Sequence, residues 1–195
     1  MSKSQFFFLV FTMCGFCMFY SCKNLEYVSK KINNSIDEIW LIDSHEHFTT
    51  EAGRKSNEVD FFSLIIGYLQ GDLISSGMSN EELKTMLDKE KSDDERWRIF
   101  NDHWNKVRNT GYGQCLQISV LGLFGIEDIN EKTFIELNRL MKETNHTKDW
   151  YRKVLKDKSK IDVSIIDPLG IFSHPDTIYD SKLFVKIRRF DNFVT

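Results

Sequence analysis

The sequence predicts an α/β fold in which one strand precedes a long helical section and two strands follow it. Three observations carry this prediction. Ile39–Ile42 is a short apolar run, which predicts a buried first strand. The section between Asp60 and Asp157 is rich in helix caps and helically spaced apolar residues, and Ile161–Asp167 alternates with β-branched side chains. Leu183–Ile187 predicts the third strand. These strands begin a larger sheet or stand as a small open one.

Composition indicates a globular protein. The chain has 195 residues, of which 41% are hydrophobic and 28% are charged, enough for one domain with a core. The net charge of −3 gives no basic surface. Nucleic acid is therefore not an expected partner.

The first 21 residues differ in kind from the rest. Phe6–Tyr20 is apolar and uncharged, which suits a signal peptide and is short for a membrane span. Ser21 and Cys22 end this run as in the lipobox of bacterial lipoproteins. We therefore expect a lipoprotein signal peptide over 1–21, lipidation of Cys22 and a polar tether over 22–37. A different secretion signal or membrane anchor, or a buried hydrophobic helix, are the alternatives.

Cysteine usage agrees with export to a lipid-anchored position on the bacterial cell envelope. Cys14 and Cys17 would leave with the signal and Cys22 would carry lipid. Cys115 would then be the only thiol of the mature protein, and no internal disulfide is expected. A lipid anchor would hold the domain at the membrane surface without a spanning helix.

The helical section has recognisable starts, and most predicted helices begin at a polar capping residue. The predicted helices are Asp60–Leu69, Ser79–Lys89, one after Ser92, one after Asn130, and Lys148–Asp157. Cys115–Phe124 is apolar and fits a helix or a strand, with a helix favoured. Thr49–Asn57 is predicted to be a polar loop, and Gly111–Gly113 a turn.

One helix carries an apolar stripe. Trp97, Phe100, Trp104 and Val107 recur at helical spacing, which predicts core packing. His103 on the same helix is expected to pack or lie at the surface, not to bind a metal. Another histidine, His146, is expected to be exposed at a helix end.

The most informative stretch is the one that contains His45 and His47. Their i, i+2 spacing places both imidazoles on one face of a strand, where they could bind a divalent metal. Asp43 shares that face and could orient a ligand, whereas Glu46 points to the other face. Because position 49 is Thr, the zinc-helix motif His-Glu-x-x-His is excluded. The alternative is a hydrogen-bonded histidine pair.

Several segments together resemble the amidohydrolase superfamily, in the branch near the uronate isomerases. Asp43–His47 after an apolar strand resembles the first-strand metal motif of that superfamily. A helical section with Phe124–Ile126 and a second strand that ends in Asp167 and Pro168 are similar to the layout of this branch. The match covers roughly Ile39–Thr195.

The resemblance implies the N-terminal part of a (β/α)8 TIM-like barrel with a long helical insertion between strands 1 and 2. Residues 38–195 would be an incomplete barrel domain, truncated at its C-terminus, with the general base located beyond Thr195. The implied function is metal-dependent hydrolysis of a small amide, ester, lactone or acid, with zinc as the favoured metal. The alternatives are a uronate-isomerase-like enzyme acting on sugar acids and a non-catalytic, ligand-binding lipoprotein.

Two further residues are candidates for substrate contact. Arg189 follows the third strand and is similar to the arginine of an arginine-proline-aspartate motif in uronate isomerases, with Phe190 in place of the proline. Its guanidinium could bind a substrate carboxylate, or it could pair with Asp167 or Asp191. His174, after the second strand, is the other candidate, with an exposed turn as its alternative.

Overall fold

The structure is a computed structural model that describes residue 5, residues 25–167 and residues 179–187. The chain divides into two units, Met1–Leu41 and Ile42–Thr195. In the first unit, residues 25–37 form helix α1, whose residues are exposed throughout. The segment predicted as a polar tether is therefore helical over its described part.

Among the described elements after α1, one strand comes first, helices dominate the middle of the chain, and two strands follow. They are β1 (Leu41–Glu46), α2 (Glu51–Ser56), a 3-10 helix (Phe61–Leu64), α3 (Tyr68–Ser75), α4 (Asn80–Leu87), α5 (Asp93–Val107), α6 (Gly111–Phe124), α7 (Glu131–Asn145), α8 (Trp150–Arg152) continuing into a π-helix (Lys153–Lys158), β2 (Ile161–Ile166) and β3 (Phe184–Lys186).

The three strands form one parallel sheet in the order β1-β2-β3. Ser164 pairs with Phe184 and Ile166 pairs with Lys186 between β2 and β3. The backbone N–H of Asp167 donates to the carbonyl of Glu46 at 2.9 Å. The carboxyl ends of β1 and β2 therefore meet. The predicted mixed α/β class is confirmed.

Capping residues set the helix starts as the sequence predicts. The side chains of Ser79, Ser92 and Asn130 accept hydrogen bonds from the first turns of α4, α5 and α7. Each cap satisfies a backbone N–H that has no partner within its helix. The predicted single helix Asp60–Leu69 is wrong, because Gly67 takes a φ of 111° and separates the 3-10 helix from α3.

Two predicted irregular segments are helical, the first because of long-range contacts and the second because of a close approach to the end of α5. Thr49–Asn57 contains α2, whose Arg54 donates to the backbone carbonyls of Asn145 and Thr147. Gly111–Gly113 is the first turn of α6. A Cβ on Gly113 would lie 2.2 Å from the carbonyl oxygen of Val107, so only glycine lets α6 begin this close to the end of α5.

The helical core is aromatic and confirms the predicted stripe. Phe61 is fully buried, and its ring lies 5.1 Å from that of Phe100 and 5.5 Å from that of Phe134. Trp97 stacks on Phe134 at 4.5 Å between centroids. Edge and stacked arrangements of this kind add to the stabilisation from burial.

A buried ion pair lies beside this core. The guanidinium of Arg96 donates to Asp60 at 2.7 Å and to the carbonyl of Met86 at 2.8 Å. Arg96 also lies 4.1 Å over the ring of Phe62. The pair therefore ties the start of the 3-10 helix to α5.

Strand β1 is not the buried strand that the sequence predicts. Leu41 and Ile42 are 53% and 66% exposed. The reason is position, because β1 is an outer strand of the described sheet. The small buried cluster at the sheet lies on β2, the π-helix, β3 and the residue before β3, and consists of Leu155, Ile166, Leu183 and Phe184.

Candidate metal centre

His45 and His47 lie at the carboxyl end of β1 and their rings meet, as the spacing predicts. Their Nε2 atoms are 3.1 Å apart and the ring planes are close to perpendicular, at 87°. His45 is exposed and His47 is half-buried. The pair therefore presents two imidazole nitrogens to one point at the end of the strand.

A backbone contact sets the tautomer of His47. Its Nδ1 lies 3.0 Å from the backbone carbonyl oxygen of Asp167. Since a carbonyl can only accept, neutral His47 carries its proton on Nδ1. Its Nε2 is then unprotonated and faces the Nε2 of His45, which is the form in which imidazole binds a metal.

Asp167 brings a third possible ligand from the next strand. Ligand atoms of His45, His47 and Asp167 all lie within 4.8 Å of one another, and Asp167 is buried. The sequence predicted no metal-ligand role for Asp167, because 120 residues separate it from His47. The signal was its place at the end of β2, since the carboxyl ends of neighbouring parallel strands meet at one edge.

The donor set and its spacing fit a transition metal. Two imidazole nitrogens bound to one tetrahedral zinc at about 2.0–2.1 Å lie roughly 3.3 Å apart, close to the 3.1 Å between these two Nε2 atoms. Two imidazoles and one carboxylate leave a coordination position open. That set suits catalytic Zn2+ and also Fe2+. A direct N–H···N bond from His45 to His47 satisfies the same geometry without metal.

The two acids of the motif behave differently. The carboxylate of Asp43 accepts from the backbone N–H of His45 at 3.4 Å, so it contacts the backbone of its own strand. Partial burial raises the pKa of Glu46, and the negative charge of Asp43 adds to that effect. Both carboxylates lie close enough to the histidines to favour a cation at this end of β1.

The other two described histidines lie away from this cluster. His103 is buried on α5 with its Nδ1 2.9 Å from the hydroxyl of Ser76, and His146 is exposed at the end of α7. Both placements agree with the sequence predictions. Cys22, His174 and Arg189 lie outside the described residues, as does the signal segment 1–21 apart from residue 5.

A groove of about 540 Å³ opens elsewhere on the second unit, between Thr50, Tyr151 and Tyr179. None of the three clustered residues lines it, so it is a separate feature from the candidate metal centre. Burial raises the pKa of Tyr151 to about 12, which keeps this hydroxyl protonated at neutral pH.

No protein-family model matches the chain, and no curated protein matches it. Among the described helices, none has the length and hydropathy required to cross a bilayer.

Proposed function

We propose that this chain contributes the first three strands of an amidohydrolase-like (β/α)8 barrel and binds one catalytic divalent metal through His45 and His47. The activity we propose is hydrolysis of a small amide, ester, lactone or acid. The strand order supports the barrel, because consecutive parallel strands are neighbours there.

One observation carries the proposal. The Nε2 atoms of His45 and His47 meet at 3.1 Å, while the Asp167 carbonyl holds the proton of His47 on Nδ1. In that arrangement the unprotonated Nε2 of His47 faces the Nε2 of His45, as it would if both bound one metal. The Asp167 carboxyl group is close enough to serve as third ligand.

Some of these residues would bind the metal, and others orient the residues that bind it. A metal held by the two imidazoles would supply Lewis acidity and lower the pKa of a water molecule that it binds. His47 is oriented by the end of β2, so the second strand positions the first-strand ligand. Asp43 and Glu46 add negative charge beside the two ligands.

Metal loading of the full chain tests this proposal. The chain, purified in a mild detergent, is loaded with Zn2+, Fe2+ under anaerobic conditions, or Co2+, dialysed, and assayed for bound metal. We expect one metal per chain, and Co2+ should show the absorption of a four-coordinate site. His45→Ala and His47→Ala should each lower metal affinity at least tenfold.

His146→Ala is the matched control, because His146 is an exposed histidine far from the cluster. The proposal fails if the two motif variants retain as much metal as His146→Ala. Asp167→Asn separates the ligand set further: a smaller but measurable loss of affinity is expected if the carboxylate binds, and none if only the backbone of Asp167 contributes.

A further inference from the structure

Helix α6 is unusual because its exposed side carries no charged residue. Residues 109–126 contain no Asp, Glu, Lys or Arg, and neither do residues 61–71 beside them. Gly113, Leu116 and Val120 are the residues that α6 buries. Its exposed side combines apolar residues with the uncharged Gln114 and Ser119.

Exposed apolar residues lie on α6 and on residues 64–68, and we call this set the apolar patch. It consists of six residues whose exposure ranges from 40% for Leu64 to 78% for Tyr68, and the others are Ile66, Tyr112, Ile118 and Leu121. Tyr68 and Tyr112 stack with their rings 5.1 Å apart and 9° from parallel. Leu64 lines the same groove as Leu123 and Phe124. The patch therefore joins α6 to the segment before α3.

We propose that two copies of this chain associate through the apolar patch. From their exposed fractions, the six residues present on the order of 700 Å² of surface. This total approaches the roughly 800 Å² per partner of a stable interface.

Charge favours a second copy over other partners. Because both segments that form the patch are uncharged, two copies can meet without like-charge repulsion. A surface that binds anionic lipid would carry lysines or arginines among its apolar residues, and this one carries none.

The shape of α6 suits a twofold contact. Ile118, 68% exposed, projects from the middle of the exposed side. The small residues Cys115, Ser119 and Gly122 share that side of the helix and are exposed. In an isologous pair, Ile118 of each copy can lie over the small residues of the other, which allows close approach of two helices.

Cysteine cross-linking tests the contact, because Cys115 lies one turn from Ile118. In the full chain with Cys14, Cys17 and Cys22 changed to serine, Cys115 is the sole thiol. A short bis-maleimide reagent should convert most of this protein, in mild detergent, to a species of twice the 23.0 kDa chain mass. Ile118→Glu should lower the cross-linked fraction at least tenfold.

Two controls make the result specific. Ile135 on α7 is also 68% exposed, so Ile135→Glu is a matched change that should leave cross-linking intact. Moving the sole cysteine to exposed Ser159 should abolish it. Equal melting temperatures for the two glutamate variants exclude misfolding as the cause. A monomer, or cross-linking that Ile118→Glu leaves unchanged, would overturn the proposal.

Discussion

The helical section and the sheet differ in how completely they bury their side chains. The helices enclose a continuous aromatic core around Phe61, reinforced by the buried Arg96–Asp60 pair. The sheet has a small buried cluster on β2 and β3, while β1 exposes its aliphatic residues. Stability therefore resides chiefly in the helices, whereas the candidate metal centre lies at the less completely buried sheet. The two should respond separately to mutation.

Removal of one central ring should have the largest effect. Phe61→Ala leaves a cavity among several aromatic rings and should lower the free energy of unfolding by about 3–5 kcal/mol. Ile42→Ala on β1 removes an apolar side chain that is 66% exposed, and should change the free energy of unfolding by less than about 0.5 kcal/mol. Urea unfolding measures both. A large loss from Ile42→Ala would mean that β1 is covered in solution, and would break the comparison.

The buried ion pair should give the next largest effect. Asp60→Asn keeps the shape of the side chain but leaves the Arg96 guanidinium without its buried counter-charge, so we expect a loss of about 2–3 kcal/mol. Glu136→Gln is the control, because its pair with Arg139 lies at the surface and should contribute nothing measurable.

The same pair predicts a dependence on pH. Burial of Asp60 opposes ionisation, but the hydrogen bond and charge of Arg96 outweigh it and hold the pKa of Asp60 below its usual value. A carboxyl with a lowered folded-state pKa stabilises the fold above its unfolded pKa, about 3.9, and this contribution is lost as the pH falls through the folded-state value. The difference between wild type and Asp60→Asn should therefore shrink below about pH 4. An unchanged difference at pH 2 would contradict this explanation.

Sequence reasoning succeeded where the determinants are local. Ser79 and Asn130 begin helices because their side chains bond to the next turn, and the Trp97–Val107 stripe is buried because its spacing matches one helical face. It failed for α2, because the partners of Arg54 come from the far end of α7.

The candidate metal centre likewise combines a contact that the local sequence predicts with one that it does not predict. The meeting of His45 and His47 follows from an i, i+2 spacing on one strand, which is local information. The contribution of Asp167 depends on pairing of β2 beside β1 across the whole helical section, which no local pattern encodes. The exposure of Ile42 likewise depends on which elements lie next to β1, so the apolar run alone predicted burial wrongly.

Binding of zinc at the sheet should change the free energy of unfolding by less than Phe61→Ala or Asp60→Asn. A ligand that binds only the folded state stabilises it by about 1.4 kcal/mol at a tenfold excess over its dissociation constant. We expect the melting temperature to rise with added Zn2+ and to return after addition of EDTA. His47→Ala should abolish the rise while Phe61→Ala, if folded, retains it. Loss of the rise in both variants would show that the two regions are coupled.

The smallest effects should come from two helical glycines, and they should have opposite signs. Gly71 in α3 has open space where a Cβ would lie, so Gly71→Ala should stabilise the helix by about 0.5–1 kcal/mol. Gly113→Ala would drive a methyl group against the Val107 carbonyl and should destabilise by about 1 kcal/mol or more. If Gly113→Ala also stabilises, α5 and α6 have room to separate, and the helical section is less tightly packed than its core indicates.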